Sequence, residues 1–544
     1  MASVSAVLDK LIRSLSLWEF PCGPGPWKQS GADGPPLDLL EPVSPWHQDP
    51  SWSPQAVALR RRAVLCPTGL STGSVHKALT ALVLRDQGVS VLDPGLLRLS
   101  HLEELVLSVN QLQEVPALLL PPSLQVLELR NNRVSSLCPL TSAPPPRLLH
   151  LGLASNPLGS ALDVCSLTGA HWPALLCLDL SLCEFEQLTD LLVALSSLPR
   201  LRSLLLEGNP CSLGPAYPGL VLDVLPRLSH LDSERITAEQ TEAFRGMAVL
   251  TGVAEACARV TVRVGRLRGL PEPPQSSEHP LVSVSYWVSY RFLPLRPPDQ
   301  LQNLKRVDGC ESEETEENKE ETEEEPGLCE VCSEVHGSVH RSSTLSWSES
   351  MDFSQSLHHR VSDLKALKSA LTRGLCVRVE EEKVLSWPAA PEDTAASKTA
   401  TKEPKGPKGK DSPNKPVSTR DKKRRPPLEL VQDPPVRRGL GSVHVPLHTL
   451  LQSGHKVALC CDFGPQRPEA DNTVDKAAVD DKEQVPKTGA SVKKPATASK
   501  GKKQPVKGAD EASVCGPQEP LTVELCVQLE QWRSAAEASL ELGL

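Results

Sequence analysis

Cys329, Cys332, His336 and His340 set four zinc-competent side chains within twelve residues, in the order C-x2-C-x3-H-x3-H. Thiolates and imidazoles together would hold a structural zinc ion. Zinc modules, however, normally separate their ligand pairs by about a dozen residues or more, so that the metal has a fold to stabilise. Three residues give no such room, so the spacing reads as adventitious and no metal is expected. The chain also lacks a P-loop, a G-x-G-x-x-G after a strand and an H-E-x-x-H helix. No catalytic residue, cofactor or small-molecule substrate is expected, and the chain reads as something other than an enzyme.

Two further sets of residues could act on a partner. Glu103, Glu104, Val106, Glu128, Arg130, His150, Asp179, Arg202 and Glu207 stand between leucines that recur along the chain. Their charges are mixed, with no basic stripe interleaved with aromatics, which argues against nucleic acid at these positions. The other set is basic. Residues 398 to 425 hold eleven Lys or Arg against three acids, including Lys422, Lys423, Arg424 and Arg425. Residues 487 to 507 hold seven lysines against no acid, among them Lys493, Lys494, Lys502 and Lys503. Diluted with Pro, Ala, Gly and Ser, such tracts cannot bury a core, but they are attracted to polyanions such as tubulin tails or RNA. By contrast, residues 311 to 325 carry ten glutamates against one lysine and read as a solvated run.

The element that positions the first set is a nine-residue phrase, L-x-x-L-x-L-x-x-N. It begins at Leu79, Leu102, Leu124, Leu148, Leu175 and Leu201, at spacings of 23, 22, 24, 27 and 26 residues. That is the period of leucine-rich repeats, in which the leucines point inward and the Asn satisfies backbone groups at the turn. Gln87 and Cys183 replace the Asn in two units. Stacked strands about 4.8 Å apart give a concave sheet roughly 30 Å long, with the residues between the leucines facing the hollow. The phrase closes at Leu228 and Leu231, with Asp232 read as standing where the third core leucine would fall. The second unit returns through PALLLPPS, short enough for one 3₁₀ turn, and the fifth through a helical pattern from Leu188 to Leu198.

Either side of the repeats the periodicity changes. Val4, Val7, Leu8, Leu11, Ile12 and Leu15 have helical spacing, expected to dock within the chain. Beyond Ala254, six segments alternate apolar and polar residues as half-buried strands do, from VTVRVGRLRGLP to LTVELCVQLEQW. Their order resembles a C2-type β-sandwich, and the loop RGLPEPPQSSE lacks the aspartates a calcium site would need. The fold class is thus an α/β leucine-rich repeat solenoid of six repeats plus cap, followed by a C2-like all-β sandwich interrupted by disordered insertions. The boundaries read as 1–54 for an N-terminal helix and irregular segment, 55–78 for a cap, 79–250 for the capped repeats and 254–544 for the sandwich. Its inserts are placed at 305–340, 392–427 and 468–515.

The N-terminal stretch is broken by Asp9, Lys10 and Arg13, no window of 18 apolar residues occurs, and the net charge of −9 is mild. A cytoplasmic protein without a membrane span, with reduced cysteines, is expected. The Leu-Asp ending resembles the cap of axonemal dynein light chain one and the spliceosomal A-prime protein. The segments EFPCGPGPWKQS from Glu19, LEELVLSVN from Leu102, HWPALLCLDL from His171, EEEKVLSW from Glu380, LVQDPP from Leu430 and the final LTVELCVQLEQWRSAAEA resemble a vertebrate family of capped leucine-rich repeat proteins. That resemblance implies a ciliary or axonemal association, with dynein-related or other axonemal partners, and brings no activity or ligand residues. This chain is shorter than the family, chiefly in the acidic insertion. The reading is a non-catalytic interaction scaffold that binds a protein on its concave face and acidic polymer such as microtubules on its lysines. The alternative is an RNA-associated or nuclear adaptor using the same lysines on phosphate.

Overall fold

The structure is a computed structural model, and it describes residues 2–16, 49–65, 70–253, 257–273, 280–293, 338–388, 430–452, 454–466 and 519–544. Each leucine phrase lays down a short strand that starts two residues after its first leucine. These strands are β1 (Ala81–Val83), β2 (Glu104–Val106), β3 (Val126–Glu128), β4 (His150–Gly152), β5 (Cys177–Asp179) and β6 (Ser203–Leu205). Strand β7 (His230–Leu231) follows in the cap, and β8 (Glu234–Arg235) closes the edge. β1 to β7 pair in parallel and in chain order, while β8 runs antiparallel to β7.

The register aligns Leu82, Leu105, Leu127, Leu151, Leu178, Leu204 and Leu231 in one buried row. Each fully buried leucine contributes roughly 1.5–3 kcal/mol, so the row is a main source of the solenoid's stability. The turns are held by a second ladder, made of asparagine. Asn156 donates from Nδ2 to the carbonyls of Leu129, Leu153 and Ala154 and accepts the Val134 amide, joining two neighbouring repeats. Asn110, Asn132 and Asn209 make the same kind of bridge. Cys183 supplies only weak thiol contacts to Leu153 and Ser181 carbonyls, and the Leu158 amide, which an Asn there would take, turns to the Asn156 carbonyl. Gln87 lies in the first unit, where no earlier repeat needs bridging; there the Asn110 side chain accepts the Gln87 amide instead.

The N-terminal end of the core is covered by α1 (Val4–Ser16), α2 (Ala56–Leu65) and α3 (Thr72–Ala78), while α4 (Leu188–Ser196) returns the fifth unit. Val4, Leu8, Ile12 and Leu15 are buried in the same cluster as the repeat leucines. Arg60 fixes the angle between the first two helices by donating to the Ser14 and Leu15 carbonyls, which the end of α1 leaves without intrahelical partners. The segment read as separate, 1–54, therefore shares the solenoid core through α1.

Two antiparallel sheets follow. One has the order β11 (Met351–Val361), β9 (Ala258–Arg268), β15 (Thr522–Glu530), β14 (Lys456–Asp462). The other is built on β10 (Leu281–Phe292), β12 (Leu375–Pro388) and β13 (Val436–Val445), with short strands at its margins. Their inner faces share one core, with Val260, Val262 and Val264 on one side and Val288, Tyr290, Val377 and Val379 on the other. β11 escaped the alternation pattern because MDFSQSLHHRV is largely polar, as an edge strand allows. The helix α5 (Leu364–Arg373), capped by Asp363 and stopped by Gly374, was also not legible among the strands.

The two regions are packed together: each has its own core, but Leu213 of the repeats joins that of the sandwich and Trp532 joins that of the repeats, so the boundary near residue 250 is not a clean division. Lys368 on α5 bonds Glu184 at 2.8 Å and the Cys183 carbonyl, and Lys365 bonds Glu186 at 2.7 Å. Trp532 and, on α6 (Ala535–Leu542), Ala538 are buried in the solenoid's core cluster, and the Trp532 amide donates to the Pro215 carbonyl. The end of the chain thereby completes the cap of the repeats.

Candidate functional site

In a β-strand alternate side chains point to opposite faces, so the residues flanking each core leucine form the floor of the hollow. The register puts Ala81, Glu104, Val126, His150, Cys177, Ser203 and His230 in one floor row, and Val83, Val106, Glu128, Gly152, Asp179 and Leu205 in the next. Glu104, Val106, Glu128, His150 and Asp179 thus lie on the concave face. Arg130 and Glu207, two residues past the ends of their strands, continue that face toward the turn side. Glu103 and Arg202 do not belong to the floor: each precedes its strand and has the parity of the core leucine two residues on, which puts it at the rim, exposed.

The centre of the floor is an ion pair. His150 Nε2 lies 3.2 Å from Glu128 Oε2, and the Arg130 amide donates to the other carboxylate oxygen at 2.9 Å. The Cys177 thiol and the Glu128 carboxylate raise His150 to about 10 despite its burial. Burial opposes the Glu128 charge, but the bonds from His150 and the Arg130 amide outweigh it and hold the carboxyl below its ordinary range. Gly152 makes the arrangement possible, since a Cβ there would stand 2.1 Å from a Glu128 carboxylate oxygen.

The cap end is different. Leu204 pairs with Leu231, so Asp232 falls one residue short of the third core position and belongs to the concave row instead, a correction to the sequence reading. It adopts a left-handed φ of 49°, accepts the Leu206 and Glu207 amides on Oδ1, and takes the Tyr217 hydroxyl on Oδ2. A carboxylate is suited to the last ladder rung because it accepts several amides with no further strand to pair them. Beside it, Glu207 and Asp232 share a cleft with Leu450, Leu451 and His455 of the sandwich, so the second region forms a wall at this end of the floor. No sequence signal placed that wall.

The remaining candidates do not gather here. Lys422, Lys423, Arg424, Arg425, Lys493, Lys494, Lys502 and Lys503 lie outside the described residues, as do Cys329, Cys332 and His336, and the acidic run 311 to 325. His340 is described. Its ring centroid lies 4.4 Å from His359 and 5.2 Å from Tyr290, and the Tyr290 hydroxyl is 2.6 Å from His359 Nε2. Among the described residues no three His, Cys, Asp or Glu converge as a metal site. A G-x-S-x-G pattern, as at a nucleophile elbow, does occur from Gly69 to Gly73. Its Ser71 is the N-cap of α3, accepting the Ser74 amide, a structural use of the hydroxyl. Burial pushes the Cys183 and Cys211 thiols up to about 12, the opposite of what a nucleophile needs. No helix among the described residues is long and apolar enough to cross a membrane.

Comparison with known proteins adds a family. Residues 315–544 match the model described as the leucine-rich repeat-containing protein 43 C-terminal domain, and 37–71 match its N-terminal domain. The two-sheet region of the structure starts well before the first of these, at Ala258. Leucine-rich repeat-containing protein 43 of Mus musculus is 30% identical over 666 aligned positions, covering 99% of this chain and 96% of that protein. The Homo sapiens protein is 30% identical over 645, covering 98% and 95%. Among solved structures, the SNF/U2A′ complex of Drosophila melanogaster matches with a TM-score of 0.22 and 21% identity, over 32% of this chain and 83% of that one. A leucine-rich repeat protein of Leptospira interrogans matches with a TM-score of 0.22 and 24% identity, over 29% and 38%.

Proposed function

Because the chain belongs to the leucine-rich repeat-containing protein 43 family, we propose that it is a non-catalytic interaction scaffold of the cytoplasm and of the cilium or axoneme. It binds a protein partner, axonemal or dynein-related, through the concave face of its repeats. The observation that carries this is the floor itself: Glu104, Val106, Val126, His150 and Cys177 are only half-buried, on a sheet whose backbone is already paired within the ladder. Such a face offers side chains, held rigidly in rows, to a protein surface. The two-sheet region, read as C2-like, adds a second docking surface.

The lysine-rich tracts are read as contacts to acidic polymer, in the first place microtubules. Their placement supports this. Pro388 and Leu430, which border residues 389–429, pair with each other at the end of the sandwich opposite to α5 and the solenoid. Asp462 and Thr522, near the borders of 467–518, pair at that same end of their sheet, while Lys456 and Gln528 pair toward the repeats. The described residues bordering both basic tracts therefore lie at the end of the sandwich away from the repeats. The chain, tagged and expressed in ciliated cells, is expected in cilia; uniform nuclear staining would favour the RNA-associated adaptor instead. Deleting 398–425 and 487–507 is expected to abolish sedimentation with microtubules at physiological salt, and undiminished sedimentation would remove the lysines from the reading.

A further inference from the structure

The concave floor changes character along the ladder. Its first strands carry an apolar patch, in which the register sets Val83 beside Val106, with Val126 on the next strand, all three half-exposed and none used by the core; Glu104, paired with Val126, is the acid among them. At its last strands it is acidic. Asp179 accepts the Ser181 amide and hydroxyl on one oxygen, and Asp232 accepts two amides and the Tyr217 hydroxyl; among the described residues no ion pair joins either to a cation. Glu207 registers the imbalance: burial first, then Asp232 and Asp179, raise its carboxyl, and Arg130 is the cation set against them. The sandwich wall at this end, with Leu450 and Leu451 in the shared cleft, limits the solvent that would otherwise screen those charges.

A partner lying on this floor must satisfy its own backbone, because the ladder's amides and carbonyls are already paired across β1 to β7. A helix does so, and it fits the dimensions. Seven strands about 4.8 Å apart span about 29 Å, the length of roughly 20 helical residues. Resting on the scaffold reading above, we infer that the concave face takes one partner helix of fixed polarity. Its apolar half lies over Val83, Val106 and Val126, and its lysine- or arginine-bearing half lies over Asp179, Glu207 and Asp232.

Two synthetic helical peptides of twenty residues test this against the full chain by fluorescence anisotropy. Both carry leucines on one face of one half; the other half bears lysines in one peptide and glutamates in the second. The lysine peptide is expected to bind at least tenfold tighter. V106N should weaken it about tenfold, and the double variant D179N/E207Q should weaken it similarly while flattening its salt dependence, with circular dichroism confirming that each variant is folded. If V106N weakens both peptides but D179N/E207Q does nothing, or the glutamate peptide binds as well, the polarity is wrong and concave docking survives. If neither peptide binds, or V106N changes neither, the concave docking reading falls as well.

Discussion

The Glu128 carboxylate and the His150 imidazole, on adjacent strands of the concave sheet, meet at 3.2 Å across the bare Cα of Gly152. Any side chain at 152 must displace that carboxylate. Gly152→Val is expected to destabilise the chain by roughly 1–3 kcal/mol, as overpacking does, with the Glu128 charge driven off its partner. Urea unfolding of the full chain measures it, and an unchanged midpoint would show that the carboxylate moves freely.

Cys177 and this pair together set a pH dependence. His150 is raised from 6.5 to about 10, so the stability it adds is present in full below 6.5 and fades as pH climbs through about 10. Glu128 is held below its ordinary 4.5, so its share is present above that value and is lost in acid. His150→Gln should therefore cost stability at pH 6 and little above pH 10. A cost that is flat from pH 6 to 10 would contradict the pairing.

His359 works in the opposite sense. Burial first, then His340 and His358, lower it to about 4, so it is neutral in the folded sandwich. Stability linked to it is present above its ordinary 6.5 and lost as pH falls through about 4, by roughly 3 kcal/mol at 1.36 kcal/mol per unit. His359→Phe should keep the ring packing and blunt the acid sensitivity of unfolding between pH 6 and 4. Equal acid sensitivity in both chains would exclude His359 as its source.

The asparagine ladder predicts an asymmetry between two turns. Asn156→Ala leaves the Leu129, Leu153 and Ala154 carbonyls and the Val134 amide without their buried partner and is expected to cost roughly 2–4 kcal/mol. Gln87→Ala, at an exposed position in the first unit, should stay within about 0.5 kcal/mol. Similar losses at both positions would show that the bridging bonds are not what holds the turns.

Trp532 predicts that the two regions unfold together. It lies more than 300 residues beyond the Pro215 carbonyl its amide contacts and is buried in the repeat core. Trp532→Ala should cost about 3–5 kcal/mol and lower the midpoint of solenoid and sandwich alike. Hydrogen exchange that speeds up in the sandwich alone would separate the two cores.

The repeats were legible from the chain because their contacts are local and periodic. Leu102, Leu105 and Leu107 specify an inward face by spacing alone, Asn110 specifies the turn, and the next unit restates both some 22 residues on. The strands β9, β10, β12 and β15 announced themselves by alternation, whereas β11 did not, being a polar edge. What surrounds the hollow was decided only by tertiary packing. Asp232 stands at the fifth place of the phrase begun at Leu228, and the pairing of Leu204 with Leu231 fixes that place on the floor rather than in the core row. Glu103 and Arg202 left the floor for the rim for the same reason. The wall of Leu450, Leu451 and His455, the Lys368 bond to Glu184 and the burial of Trp532 join positions hundreds of residues apart. No local pattern encodes such contacts: they form because the apolar surfaces left at the end of the solenoid and at the end of the sandwich are each other's cover from water.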